Sequence, residues 1–173
     1  MKKIFLLFIL IYNFSFSIVD FQGINWGDNE KNLQLIFPKV IKEPSLNENI
    51  TILAVPSPKD FVSKYQFFLK DNALYKIRVN FDKESVGKRE LQDIYEQLLK
   101  NIGSPISKVP INKKIENLTL KGNSLKFIPD ISTTVYFNGV DTINEYEKMI
   151  DSNLYLEYVD STIEYEIEWT SPT

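Results

Sequence analysis

The sequence of 173 residues contains neither cysteine nor histidine. Without cysteine no disulfide can brace the fold, so burial and hydrogen bonding have to hold it together. The two absences together exclude Ser-His-Asp and Cys-His nucleophilic catalysis, the usual Cys/His zinc sites and histidine-ligated haem. The chemistry that remains is that of carboxylate, lysine, tyrosine and serine side chains. We predict no cofactor and no metal site, since no segment has the Asp, Asn and Gly spacing of a calcium loop either.

The chain also lacks an excess of basic residues, with 20 Lys and Arg against 23 Asp and Glu. A nucleic-acid-binding surface needs clustered positive charge to displace the counterions of the phosphates. Anionic lipid headgroups attract the same kind of surface. The charge balance therefore predicts that neither nucleic acid nor an anionic membrane surface is a partner.

The N-terminal stretch "MKKIFLLFILIYNFSFS", residues 1–17, has the order of a secretory signal peptide: two lysines, an apolar run over residues 4–12, and then small serines. The run is shorter than the roughly 20 apolar residues that span a bilayer. We expect cleavage near Ser17, a single domain over residues 18–173, a location in the periplasm or outside the cell, and no stable membrane insertion. An uncleaved anchor and a buried N-terminal strand are the alternatives.

The clearest predicted element is a β-hairpin over residues 62–81, with its turn at Asp71 and Asn72. Apolar residues recur at every second position of the first strand, at Tyr65, Phe67 and Leu69, and they alternate with polar residues along the second, at Tyr75, Ile77, Val79 and Phe81. One face of the hairpin should therefore be dry, and the other wet and basic, with Lys76 and Arg78 on it.

An amphipathic helix is predicted over residues 91–102, because apolar residues recur there at intervals of three and four. Gly103 and Pro105 supply its end. The apolar stripe of this helix should pack on the dry face of the hairpin.

Weaker patterns complete the prediction. They indicate a helix over 28–37 with Asp28 as its N-cap, a strand over 50–55, a loop over 104–115, turns at 121–124 and 138–142, a strand over 133–137, helical turns over 143–150, and a second hairpin over 154–169 with its turn at Asp160 and Ser161. Strands that come as hairpins and outnumber the helices indicate the α+β class. The expected architecture is an antiparallel sheet built from hairpins, with one main amphipathic helix packed on it.

The strongest polar pattern is an acidic series near the C-terminus: Glu157, Glu164, Glu166 and Glu168. Period-two spacing puts the last three on one face of the final predicted strand, and the predicted turn places Glu157 opposite Glu164. The series could be a cation site or a docking face for a basic partner. It could equally be a solvated face whose repulsion is relieved by basic side chains of a neighbouring strand. Charged outer faces are the rule on antiparallel sheets, which favours the solvated face.

Two aromatic residues are expected on the wet side of the sheet, Phe68 in the first hairpin and Tyr155 on the face of Glu157. Exposed aromatic side chains favour a binding role, although single ones are common on protein surfaces. With the acidic series they are the candidate binding residues. No catalytic residue is assigned.

Four segments carry a resemblance to a known group of proteins. They are "FQGINWG" at residues 21–27, which has the pattern F-x-G-I-x-W-G, then "YQFFLKDNALYKIRVNF", "YEQLLKNIGSP", and "TTVYF" followed by "LYLEYVDS". With these the chain resembles exported bacterial proteins of unknown function. The resemblance implies export and an α+β domain, and it implies no functional residues. Within the opening, Trp26 should cap one edge of the core and Gly27 should turn the chain into the first helix.

Two functions are compatible with these patterns. The first is a non-enzymatic binding module of the periplasm or cell envelope, which contacts a protein or envelope component through a sheet face or an edge strand. The alternative is a small carboxylate-based hydrolase acting on envelope glycans, since two carboxylates suffice for that chemistry. A concave pocket in which two or more carboxylates converge with perturbed pKa values would favour the hydrolase, and a flat or edge surface with exposed aromatic side chains would favour the binding module.

Overall fold

The computed structural model of the protein describes residue 21 and residues 23–165. This part of the chain forms two helices and eight strands. The helices are α1 (Glu30–Ile36) and α2 (Lys88–Ile102), and the strands are β1 (Ile41–Glu43), β2 (Ile50–Lys59), β3 (Val62–Lys70), β4 (Ala73–Phe81), β5 (Ser107–Ile115), β6 (Leu118–Phe127), β7 (Thr133–Ile143) and β8 (Met149–Asp160).

All eight strands belong to one antiparallel sheet, in the order β1-β2-β3-β4-β8-β7-β6-β5. The sheet thus consists of two four-stranded meanders, β1 to β4 and β5 to β8, which meet along their last strands. Helix α2 connects the two meanders. The predicted α+β class was wrong, because the architecture is a large sheet with only two short helices, of 7 and 15 residues, in the described part of the chain.

Part of the error comes from segments that were expected to be loops or turns and pair as strands. Residues 107–115, within the predicted loop, form β5 at the sheet edge, where Ile111 alone is buried. A strand with so little burial carries no alternating apolar signal. The predicted turns around Gly122 and Gly139 lie inside β6 and β7. A Cβ on Gly122 would stand 2.0 Å from the backbone oxygen of Gly139, so Gly122 marks a close approach of two strands and not a turn.

The second predicted hairpin, over residues 154–169, was also wrong. Strand β8 pairs with β7 on one side and with β4 on the other, so neither of its edges can accept a following strand. Residues 161–165 are not part of a strand, and residues 166–169 lie outside the described residues. The helical turns expected over 143–150 are instead the β7–β8 connection, where the Asn144 side chain accepts the N–H groups of Tyr146 and Lys148.

The first hairpin is confirmed as β3 and β4, joined at Asp71 and Asn72. Both turn residues have positive φ, 51° and 61°, a conformation that Asn and Asp adopt more readily than most residues. The expectation of a wet, basic face was wrong. Lys76 and Arg78 are only 1% and 3% exposed, so the hairpin is buried on both faces.

The apolar face of the sheet, defined by Phe67, Ile77, Val79 and Leu156, carries the main core. Leu98 of α2 is buried in this core, and other α2 side chains pack partly against it. Helix α2 ends at Gly103, whose φ of 88° suits glycine. No helix in the described residues is long and apolar enough to cross a membrane.

The opening segment closes one edge of the core, as expected. The ring of Phe21 packs edge-on against Tyr65, Phe67 and Tyr158. Trp26 Nε1 donates to Thr133 Oγ1 at 3.2 Å. The helix then begins one residue later than predicted, because the N-cap is Asn29, whose side chain accepts the N–H of Asn32, and not Asp28.

Candidate functional site

A buried ion cluster lies at the centre of the other face of the sheet, which we call the polar face. It forms where β4 and β8 meet, because Arg78 and Glu157 are register partners. Arg78 Nε and Nη2 lie 2.9 and 2.8 Å from Glu157 Oε1. Lys76 Nζ is 3.6 Å from the same oxygen. Glu157 has no exposed surface, and a carboxylate at this depth depends on such partners because its desolvation is costly.

The second oxygen of Glu157 is bound from the segment that follows β8. The Tyr165 hydroxyl donates to Oε2 at 2.6 Å, and Asn138 Nδ2 donates to the same oxygen at 3.3 Å. The Tyr165 ring stacks on Tyr136 with a centroid distance of 3.6 Å and an interplanar angle of 8°. The chain therefore turns back over the polar face after β8, and Tyr165 covers the carboxylate.

The electrostatics hold each of these groups in the protonation state that its contacts require. Burial alone would raise the pKa of Glu157, but the charges of Arg78 and Lys76 and the hydrogen bonds of Tyr165 and Arg78 outweigh it, so the pKa lies below its ordinary value. Burial would lower the pKa of Arg78, and the Glu157 carboxylate reverses this, so the pKa of Arg78 is raised. Burial and the charge of Glu157 raise the pKa of Tyr165. The carboxylate stays charged and the phenol stays a donor.

Two aromatic rings enclose the cations of the cluster. Lys76 Nζ lies 4.3 Å from the centroid of the Phe68 ring, and Arg78 Cζ lies 4.6 Å from that of the Tyr155 ring. Cation–π contacts of this kind are stronger when they are shielded from water. Phe68 and Tyr155 were expected on the surface, and this was wrong, because they are 0% and 5% exposed.

The structure thus brings together three of the six predicted binding residues: Glu157, Phe68 and Tyr155 all contact Arg78. Glu164 is exposed and lies outside the cluster, while Glu166 and Glu168 fall outside the described residues. A binding role of these six residues stays a prediction. The part of the chain that the structure describes contains no group of three His, Cys, Asp or Glu side chains able to hold a metal ion.

A cavity of about 440 Å³ opens on the apolar face, between α2 and the β2–β3 turn. We call it the α2 groove. Its floor is apolar and comes from both the sheet and the helix: Val62, Val79, Phe81, Ile94, Leu98 and Leu156. Its volume lies within the range of about 300–1,000 Å³ that is usual for ligand pockets.

One wall of the α2 groove is a polar ridge made by every fourth residue of the helix: Arg89, Asp93, Gln97 and Asn101. This spacing places the four side chains in a row along one side of α2. In residues 21 and 23–165 none of the four takes part in an ion pair or a side-chain hydrogen bond. The outward-facing pair on the same helix differs, since Gln92 donates to Glu96 at 2.9 Å.

The opposite wall is the turn between β2 and β3. Asp60 lies there without an ion pair to any described residue, and Phe61 is 50% exposed. Phe61 has a φ of 63°, a strained conformation for a bulky residue, and its carbonyl accepts the N–H of Asp82 at 2.9 Å. Backbone strain of this kind clusters at active sites, ligand clamps and switch regions.

The sequence did not reveal the α2 groove. The ridge reads as the ordinary solvent side of an amphipathic helix, and Asp60 lies about thirty residues before it along the chain. The buried charges were missed for a similar reason, since the strand of Glu157 follows that of Arg78 by many residues and their pairing cannot be read locally.

No protein-family model matches the chain, and no curated protein matches it significantly. Among solved structures, the chain is similar to an extracellular protein containing an SCP domain from Bacillus anthracis str. Ames, with a TM-score of 0.42 and 13% identity. The alignment covers 86% of this chain and 47% of that one, so this chain spans about half the length of that protein.

Proposed function

We propose that the protein is a non-enzymatic binding module exported to the periplasm or the cell surface of a bacterium, and that the α2 groove is where it holds a protein or another envelope component. The observation that carries the proposal is the pairing of an apolar floor with a row of polar side chains that bond to no described residue. Export rests on the signal-like pattern of residues 1–17 and on the resemblance to exported bacterial proteins.

The α2 groove suits this role better than the ion cluster does. Glu157 is enclosed and already bonded through both oxygens, so a ligand could reach it only by displacing Tyr165. The groove is open to solvent and offers apolar surface together with polar groups that can fix the orientation of a ligand.

The test is capture of envelope components by the purified protein and by two tryptophan variants of α2. Gln97→Trp fills the groove from its rim, whereas Gln92→Trp puts the same side chain on the outward side of the helix. Both positions are exposed, so both variants should fold. We expect a component that the wild type and Gln92→Trp retain and that Gln97→Trp loses. Equal retention by all three proteins would refute a groove-based function.

A second candidate is a small carboxylate-based hydrolase acting on envelope glycans, because Asp60, Glu90 and Asp93 line the same groove. Glu90 accepts the N–H of Gly87 at the start of α2, which leaves Asp60 and Asp93 as the pair for catalysis. The measurement is the appearance of new reducing ends when purified protein acts on isolated wall glycan. New reducing ends that appear with the wild type and that Asp60→Asn and Asp93→Asn each abolish would favour the hydrolase. If the wild type produces no reducing ends, the hydrolase is rejected.

A further inference from the structure

We propose that the occupant of the α2 groove is an extended peptide that carries a lysine or arginine beside an apolar side chain. This inference rests on the proposed function and adds the chemistry of the ligand. Three features of the groove carry it: the length of the polar ridge, the amide groups in it, and the sign of its charge.

The length of the ridge favours an elongated ligand. Arg89 and Asn101 are twelve residues apart on α2, which is about 18 Å along a helix that rises 1.5 Å per residue. An extended chain advances about 3.3 Å per residue. The ridge therefore matches about five residues of extended peptide.

The amides of the ridge suit a peptide backbone. Gln97 and Asn101 each offer an N–H₂ donor and a carbonyl acceptor, the two functions that a peptide unit needs from a partner. The floor of the same groove includes the half-buried apolar side chains of Phe81 and Ile94, against which a ligand side chain can pack. A peptide that runs along the ridge can bond to the amides and direct one apolar residue into the floor.

The charge of the lining selects a cationic ligand. Three carboxylates line the α2 groove, those of Asp60, Glu90 and Asp93, against the single guanidinium of Arg89. Asp60 and Asp93 make no ion pair with any described residue. A lysine or arginine of the ligand would give them one, and an acidic peptide would meet repulsion.

The experiment is selection from a displayed library of random heptapeptides on the purified protein. Affinities of the enriched peptides are then measured by fluorescence anisotropy. We expect enrichment of sequences with Lys or Arg next to a large apolar residue. Affinity should fall about tenfold in the double variant Asp60→Asn/Asp93→Asn, because each exposed ion pair contributes up to about fivefold. The matched control is Glu96→Gln, which removes an exposed acid outside the groove and should change affinity less than twofold.

The two tryptophan variants separate failure of this inference from failure of the proposed function. Enriched peptides that Gln97→Trp blocks and Gln92→Trp does not, but that lack a cationic residue, would overturn the inference and leave a groove-binding function in place. The inference also fails if no enriched peptide depends on Gln97 although an envelope component does. If neither a peptide nor an envelope component depends on Gln97, both proposals fail.

Discussion

Replacement of Glu157 by glutamine tests whether the buried ion cluster holds the sheet together. The substitution keeps the shape of the side chain and removes its charge, while Arg78 and Lys76 stay buried around it. It weakens two contacts from Arg78, at 2.9 and 2.8 Å, and one from the Tyr165 hydroxyl at 2.6 Å. Removal of one partner from a buried ion pair costs about 3–5 kcal/mol, so the free energy of unfolding should fall by about that amount.

The assay is urea denaturation at neutral pH, with Glu164→Gln as the control. Glu164 is exposed, so the same chemical change there should cost less than about 0.5 kcal/mol. Arg78→Met completes a double-mutant cycle. The double variant Arg78→Met/Glu157→Gln should lose less stability than the sum of the two single variants, because the charges are removed together. A loss below about 1 kcal/mol for Glu157→Gln, or an additive cycle, would refute the reasoning.

The same variant has a defined pH dependence. The pKa of Glu157 lies below its usual 4.5 in the folded protein, so the unfolded chain binds this proton more tightly. The stabilisation by the carboxylate is therefore complete above about pH 4.5 and is lost as the pH falls through the folded-state pKa. We expect the difference in unfolding free energy between wild type and Glu157→Gln to be constant near neutral pH and to narrow in acid. A difference that widens in acid would contradict this sign.

Two further predictions concern single positions, and both are measured by urea denaturation. Gly122→Ala should lower the free energy of unfolding by about 3 kcal/mol or more, since its Cβ would stand 2.0 Å from a backbone oxygen. Gly139→Ala, which has open space at its Cβ, should change that free energy by less than about 0.5 kcal/mol. Equal losses in the two variants would contradict the close approach of β6 and β7. Tyr165→Phe removes a hydrogen bond to a charged group and should cost about 1.5–3 kcal/mol, and an unchanged midpoint would show that the hydroxyl contributes nothing.

Local patterns predicted the local parts of this fold. The β3–β4 hairpin follows from apolar residues at every second position on either side of Asp71 and Asn72, and most of α2 follows from its apolar repeat and the stop at Gly103. Both signals lie within about twenty residues of chain, and tertiary contacts do not change them. The turn predicted at Gly122 was wrong because this glycine is required by the close approach of β7, and not by a turn of its own backbone.

The parts that failed depend on pairing across the chain. Alternation shows that Lys76 and Arg78 share a face, but it cannot show that Glu157 faces them and that Tyr165 covers it. Charged residues at alternate positions normally indicate a solvated face, and here they indicate a buried one. The α2 groove was missed for the related reason that its wall at Asp60 belongs to a different part of the sequence.

The position of the ion cluster follows from the topology of the sheet. Within each meander every strand pairs with its neighbour along the chain, so short connections fix those registers. The β4–β8 junction has no such connection, since α2 and three strands lie between them. A slip of one residue there would turn Glu157 away from Arg78 and leave both charges buried without each other, at a cost of several kcal/mol. The buried pair therefore penalises incorrect registers at the one junction of the described sheet whose register no short connection fixes.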